Sequence, residues 1–283
     1  MKQLRVSSGF NLHCHEGEDF VDYIKKGLRF MKEIGFDASD FSMKQLDLTT
    51  DGWRAQVEQL LAAGEACGIR FELCHLPFGS VKAVMQDSFG EKMHNAIDAA
   101  VALGVKHAVM HPNTTTIPLL QHDRAALFDE VVGHLAPFVE HAKRVGLDVV
   151  VENMRVVPDM RLSHRYCQDP DELCDVADAL GIGVCWDFGH AHLSGLKQSE
   201  ALAYVGKRLK VLHVNDNAAI DDEHLPPFLG SVDWHDAMHG LALAGFEGLF
   251  NFEVSASKIP SAVRRQFATY VRAAATELLT YIE

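Results

Sequence analysis

Residues 181–216 read GIGVCWDFGHAHLSGLKQSEALAYVGKRLKVLHVND. A short apolar run, 182–187, ends on Asp187. The amphipathic stretch SEALAYVGKRLK follows, and a second apolar run, 209–214, carries His213 near its end. Short apolar runs bounded by glycine and polar loops read as buried strands, and the amphipathic stretch reads as a helix. Strand, helix and next strand make one βα repeat. Both of its strands end on side chains able to hold a metal ion.

The same alternation extends in both directions. Strand-like runs are expected at 4–8, 36–41, 70–75, 106–111, 147–152, 182–187, 209–214 and 248–253, with amphipathic stretches such as WRAQVEQLLAAGEACG between them. Gly35, Gly68, Gly104, Gly146, Gly181 and Gly245 each precede a strand, where glycine accepts the left-handed conformation that ends a helix. Eight units of about 35 residues predict a single (β/α)8 TIM barrel, one domain over 1–283. The alternative is an open doubly wound sheet, but SSGFNLHCHEG after the first run lacks its G-x-G-x-x-G loop. The longest irregular stretches are 112–121, 153–169 and 215–232. All follow strands, which places them on the C-terminal face of a barrel, where active sites sit.

Composition narrows the partners. The chain has 283 residues, 48% hydrophobic and 23% charged, with a formal net charge of −13. That balance argues against a polyanion partner, and DNAAIDDEH is acidic where a phosphate track needs Lys and Arg. No apolar run reaches the length of a membrane span, and MKQLRVSSGF has no signal-peptide core, so a cytoplasmic protein is expected. The six cysteines form no C-x-x-C pair and read as reduced thiols, with Cys74 and Cys185 as small core residues.

In a parallel barrel all strand C-termini meet on one face. His75 (ELCHLPF), His111 (VMHPN), Glu152 (VVVENM), Asp187, His213 and Glu253 (LFNFEVS) stand at such ends. His190 follows Asp187 by three residues, and Asp222 and His224 follow the seventh strand. Singly, each has a plain structural reading: a hydrogen-bonded histidine, a helix cap at Asp187, a solvated loop acid at Asp222. Together they are harder to explain so, because Asp and Glu rarely fill buried strand ends unless paired. Oxygen and imidazole donors without cysteine suit Mn, Mg, Co or Zn. Arg155 is either a surface arginine or an anchor for a substrate hydroxyl or carboxylate. His13 and His15 read as polar loop residues. Trp186, Phe188, Phe228 and Trp234 flank the site as core packing or as faces for sugar C–H surfaces.

The succession E-N, D-F-G-H, H-V-N-D and F-E resembles the xylose isomerase-like TIM barrels over nearly the whole chain. That superfamily includes sugar isomerases and epimerases, inositol-pathway enzymes and apurinic endonucleases. The resemblance implies that Glu152, Asp187, His213 and Glu253 hold one divalent metal ion. It implies that Glu152 and Glu253 are the catalytic acid/base pair of an isomerase or epimerase acting on a ketose or polyol ketone through a metal-stabilised enediolate. His190 would contact substrate, and the D-x-H loop matches Asp222 and His224. His75, His111 and Arg155 complete the expected substrate-binding set. The glycine-rich turn expected after that loop is LGSVDW here, with only Gly230.

Two enzymatic alternatives share the fold. One is a trinuclear-zinc phosphodiesterase like the apurinic endonucleases, whose extra ligands His75, His111, His190, Asp222 and His224 resemble. The other is an inosose-type dehydratase. A sugar-binding barrel with vestigial ligands is the non-enzymatic alternative. The expected partner is a small-molecule sugar, with no nucleic acid and no membrane; homo-oligomerisation stays open.

Overall fold

The computed structural model describes residues 4–9, 19–79, 81–156 and 163–282. His13, Cys14 and His15 lie outside these. Among the described residues ten strands occur in chain order: β1 (Val6–Gly9), β2 (Ala38–Ser42), β3 (Arg70–His75), β4 (His107–Met110), β5 (Thr116–Pro118), β6 (Asp148–Glu152), β7 (Ser163–Arg165), β8 (Gly183–Asp187), β9 (Leu209–His213) and β10 (Phe250–Phe252). The helices are α1 (Phe20–Ile34), α2 (Gly52–Cys67), α3 (Val81–Val84), α4 (Asp87–Leu103), α5 (Arg124–Val145), α6 (Pro170–Leu180), α7 (Phe188–Leu193), α8 (Gln198–Val205), α9 (Trp234–Ala244) and α10 (Arg264–Leu279).

Eight strands form one parallel sheet in the order β10-β1-β2-β3-β4-β6-β8-β9. A parallel bridge between Val214 and Phe252 joins its two ends, with Val214 N donating to Asn251 O at 2.8 Å and Glu253 N to Val214 O at 3.2 Å. The result is a TIM barrel, and each expected run coincides with one barrel strand. All six expected cap glycines are left-handed, with φ between 60° and 99°.

Two stretches expected to be irregular are partly ordered. Within 112–121 and 153–169, β5 and β7 pair antiparallel, Thr116 with Arg165 and Pro118 with Ser163. Three-residue strands are too short to show a period, so only pairing across 45–49 residues reveals them. This two-stranded sheet ties the segment after β4 to the segment after β6.

Strand alternation sets the barrel interior in layers. Leu73, Val109, Val150, Cys185 and Val211 pack together as a small apolar cluster, separate from the larger core that includes Val149, Val151, Val184 and Leu212 on the same strands. A strand repeats its side-chain direction every second residue. Two residues beyond each member of the small cluster stand His75, His111, Glu152, Asp187 and His213. The apolar layer is thus the floor on which the polar layer rests, and each of its larger side chains contributes roughly 1.5–3 kcal/mol of burial.

The other end of β3 carries a structural acid. Glu72 is buried and bonds Arg5 Nη2 at 2.5 Å and Lys106 Nζ at 2.6 Å. Burial pushes its carboxyl up, but those bonds prevail and leave it below its ordinary 4.5. A depressed carboxyl contributes stability above its unfolded value, lost as pH falls through the folded one. Glu72→Gln is therefore expected to lower unfolding free energy at pH 7 by about 1–3 kcal/mol. The difference from wild type should shrink in urea titrations taken progressively below pH 4.5. An unchanged difference at low pH would count against this role.

Candidate metal centre

β6, β8 and β9 end on Glu152, Asp187 and His213, and Glu253 directly follows β10. One donor atom from each of the four lies within 4.8 Å of all the others. His213 Nδ1 is 3.2 Å from Glu152 Oε1, 3.0 Å from Glu253 Oε2 and 4.0 Å from Asp187 Oδ2. Glu152, Asp187 and His213 are buried, whereas the Glu253 side chain is 33% exposed. Neither ring nitrogen of His213 has a hydrogen-bond partner. A buried imidazole facing three carboxylates without an aligned hydrogen bond fits a site for a divalent cation.

Two further donor groups flank this quartet. His75 Nε2 and His111 Nε2 lie 3.0 Å apart, and each is within 3.3 Å of Glu152 Oε2. On the other side, Asp222 Oδ2 is 3.4 Å from His190 Nε2, and Asp222 Oδ1 is 3.4 Å from His224 Nε2. Three of these histidines have their Nδ1 atoms against backbone carbonyls: His75 to Leu76 O at 3.0 Å, His190 to Asn153 O at 2.8 Å and His224 to Glu253 O at 2.8 Å. Donation from Nδ1 to the carbonyl leaves Nε2 as a lone pair aimed inward, the tautomer that metal-binding histidines are commonly held in.

The electrostatics are those of a crowded charge cluster. Burial would push Glu152 up, but His213 and His111 hold it well below the usual carboxylate range. Asp187 is raised to about 6, mainly by burial. Burial opposes protonation of His190 and His224, yet Asp187 and Asp222 hold His190 at about 9, and Asp222 and Glu253 hold His224 at about 10. Protons thus balance the carboxylates, and a bound cation would displace them.

Two asparagines and an aspartate position these donors. Asp187 caps α7 by accepting from His190 N at 2.7 Å, and its other oxygen accepts from Asn215 Nδ2 at 2.8 Å. Asn153 grips the Asp187 backbone, accepting from its N at 2.6 Å and donating to its O at 3.0 Å. Asp216 is fully buried and accepts from the N–H groups of Asn217, Phe228 and Val232 and from Trp234 Nε1, all at 2.9–3.0 Å. It folds the loop that presents Asp222 and His224. The lone Gly230 fits that loop closely, since a Cβ there would overlap Asp216 Oδ1 and Asn217 O.

Gly189 of D-F-G-H is required by the same packing. A Cβ at Gly189 would overlap Asn215 Oδ1, the amide that steers Asp187. Gly189→Ala is expected to cost roughly 1–3 kcal/mol of stability from overpacking. It should also weaken metal binding roughly 10–100-fold through the displaced Asn215. Urea unfolding and metal titration measure the two effects, and wild-type values in both would refute the steric account.

All ten expected site residues converge on this face, though Arg155 is not free. Its Nε pairs with Asp222 Oδ2 at 3.0 Å. Trp186 and Trp234 turn away from the mouth, their Nε1 atoms bonded to Gln198 and Asp216, and Phe188 packs on Trp234. Phe228 stays 41% exposed. Among the described residues, Phe78 meets the site, stacked on His111 at 4.2 Å, with Lys44 Nζ 3.1 Å from the ring centroid. Asp40 carries no mark in the sequence, since it lies inside the second run and not at its end. It accepts from Asn251 Nδ2 at 2.9 Å, and burial raises its carboxyl while His213 opposes the rise. A cavity of about 540 Å³ opens at the opposite end of the barrel, against His107, Asp148, Gly183 and Lys210, and holds none of these donors.

Comparison with known proteins agrees with the fold. The profile of the xylose isomerase-like TIM barrel family matches residues 28–274. The uncharacterized protein y4fM of Sinorhizobium fredii is 29% identical over 175 residues, 58% of this chain and 51% of its own. The chain therefore spans about half the length of that curated relative. Among solved structures, a D-tagatose 3-epimerase-like protein superposes with a TM-score of 0.74 at 19% identity, over 99% of this chain and 98% of its own. The 3-keto-D-glucoside 4-epimerase YcjR of E. coli gives 0.69 at 16% identity, over 95% and 100%.

Proposed function

The chain belongs to the xylose isomerase-like TIM barrel family, and from that premise we propose that it is a metal-dependent isomerase or epimerase of ketoses or polyol ketones. The observation that carries this reading is the convergence of Glu152, Asp187, His213 and Glu253 donor atoms within 4.8 Å, with one carboxylate, Glu253, open to solvent. The likeness to a tagatose 3-epimerase-like protein and to a keto-glucoside epimerase agrees with it.

These four residues would hold one divalent ion, which supplies Lewis-acid polarisation of a substrate carbonyl. The chain's own groups move the proton. Glu253, being the more open carboxylate, takes the proton α to the carbonyl. Glu152, which meets the same His213 nitrogen, returns a proton to the other side of the carbon or to its neighbour, and draws that proton from His75, whose Nε2 is 3.3 Å from its Oε2. His75 and His111 flank Glu152 and steady its charge. His190 and His224 stand at the mouth as hydrogen-bond partners for sugar hydroxyls, and Arg155 with Asp222 borders the same space.

A second reading has its own observation. The clusters His75–His111–Glu152 and His190–Asp222–His224 on either side of the quartet would suit two further ions. Three zinc ions would make a phosphodiester clamp. One experiment separates the two. Purified protein is loaded with Mn²⁺, Co²⁺ or Zn²⁺, ions bound at the barrel mouth are counted by anomalous diffraction, and deuterium uptake from heavy water is followed with ketoses and inosose-type ketones. One ion at the mouth with metal-dependent uptake supports the isomerase. Three ions at the mouth with cleavage of abasic DNA and no uptake would replace it with the nuclease.

A further inference from the structure

The small sheet of β5 and β7 carries a second, separate meeting of donors. His122 follows β5, His164 lies in β7, and Glu172 stands in the first turn of α6. His122 Nε2 is 3.2 Å from Glu172 Oε1, and His164 Nε2 is 2.9 Å from both oxygens of the same carboxylate. The two rings meet edge-on with centroids 4.2 Å apart. His164 and Glu172 are buried, and the His122 side chain is 22% exposed. None of the three touches the quartet or its flanking clusters, and the proposed reaction uses none of them.

Two imidazole Nε2 atoms and one carboxylate converge here from three segments of chain. Three protein ligands of the His2Glu type with one open position are a recurrent zinc donor set. The carboxylate is itself oriented, because Glu172 Oε2 accepts from Cys167 N at 2.9 Å. Cys167 reaches that position with a left-handed backbone, φ 67°, uncommon for a residue with a side chain. The partly exposed side of His122 leaves a route for entry and room for a water as fourth ligand.

We propose that His122, His164 and Glu172 bind a divalent transition-metal ion of the zinc type, independent of the ion at the barrel mouth. The ion fastens the two-stranded sheet of β5 and β7 onto α6. That sheet lies in the segments that follow His111 and Glu152, so the fastening ties those segments together. Thr114 Oγ1 donates to Tyr166 O at 3.0 Å and Arg165 Nε to Thr114 O at 3.2 Å, which joins the two strands further.

The test is anomalous diffraction at the zinc edge from crystals of the zinc-loaded wild-type chain. A peak between His122, His164 and Glu172 is expected, separate from any at the mouth, and its absence at saturating zinc overturns the proposal. Zinc content gives a second measure. His122→Ala and Glu172→Gln are each expected to bind about one ion fewer per chain than wild type. Glu172→Gln keeps the shape and the acceptor for Cys167, so it serves where His122→Ala does not fold. Equal zinc content in wild type and both variants also overturns the proposal, whatever metal count the mouth shows.

Discussion

Glu152→Gln is expected to lower turnover by about 10²–10⁴-fold, the range of a lost acid/base group. The effect is large because one side chain serves several neighbours. Its oxygens lie within 3.4 Å of His75, His111, His190 and His213. A neutral amide keeps the shape, loses the charge these imidazoles face, and presents an N–H where a lone pair is needed. Glu253→Gln should have a similar effect on turnover and a smaller one on metal content, since Glu253 is the exposed member of the quartet. Deuterium exchange into substrate, measured on folded and metal-loaded variants, decides the matter. Exchange at the wild-type rate in both would remove these residues from the proton-transfer role.

The second large effect concerns the ion. Its removal by a chelator is expected to abolish deuterium exchange and to lower thermal stability together. A ligand at a thousandfold excess over its Kd stabilises the folded state by about 4 kcal/mol, which for a chain of this size corresponds to roughly 8–16 °C in Tm. The loss should be greater at neutral pH than in mild acid. Asp187 titrates at about 6, so acid supplies protons that relieve the repulsion among the carboxylates. Readdition of the ion should restore both properties. An unchanged Tm on chelation would mean that the quartet holds no tightly bound ion.

The barrel and the convergence of donor side chains at its mouth were legible in the sequence because both follow short-range rules. Glycine ends a helix, an apolar run begins a strand, and a polar group at the run's end faces the mouth. Glu152, Asp187 and His213 each stand two residues beyond a buried aliphatic or thiol side chain, a spacing readable without structure. The remainder depends on contacts between distant segments. Nothing near Thr116 announces its pairing with Arg165, and nothing near Gly189 announces Asn215. Phe78 lies in the loop three residues past the end of β3, and Asp40 lies inside a run and not at its end, so neither stands where the strand-end rule points. His122, His164 and Glu172 lie in a loop, a strand too short to detect and a helix start, so no single local pattern contains them.

The bridge that closes the barrel gives the quartet a further meaning. Seven of the eight junctions around the sheet are ladders of three to five residue pairs, whereas β9 and β10 meet through the single Val214–Phe252 bridge. His213 and Glu253 stand on the two sides of that seam, their donor atoms 3.0 Å apart. An ion shared between them would act as a clasp at the place where the cylinder is least stitched. Catalytic loading and mechanical closure would then be one event, and an empty barrel would open first along this line.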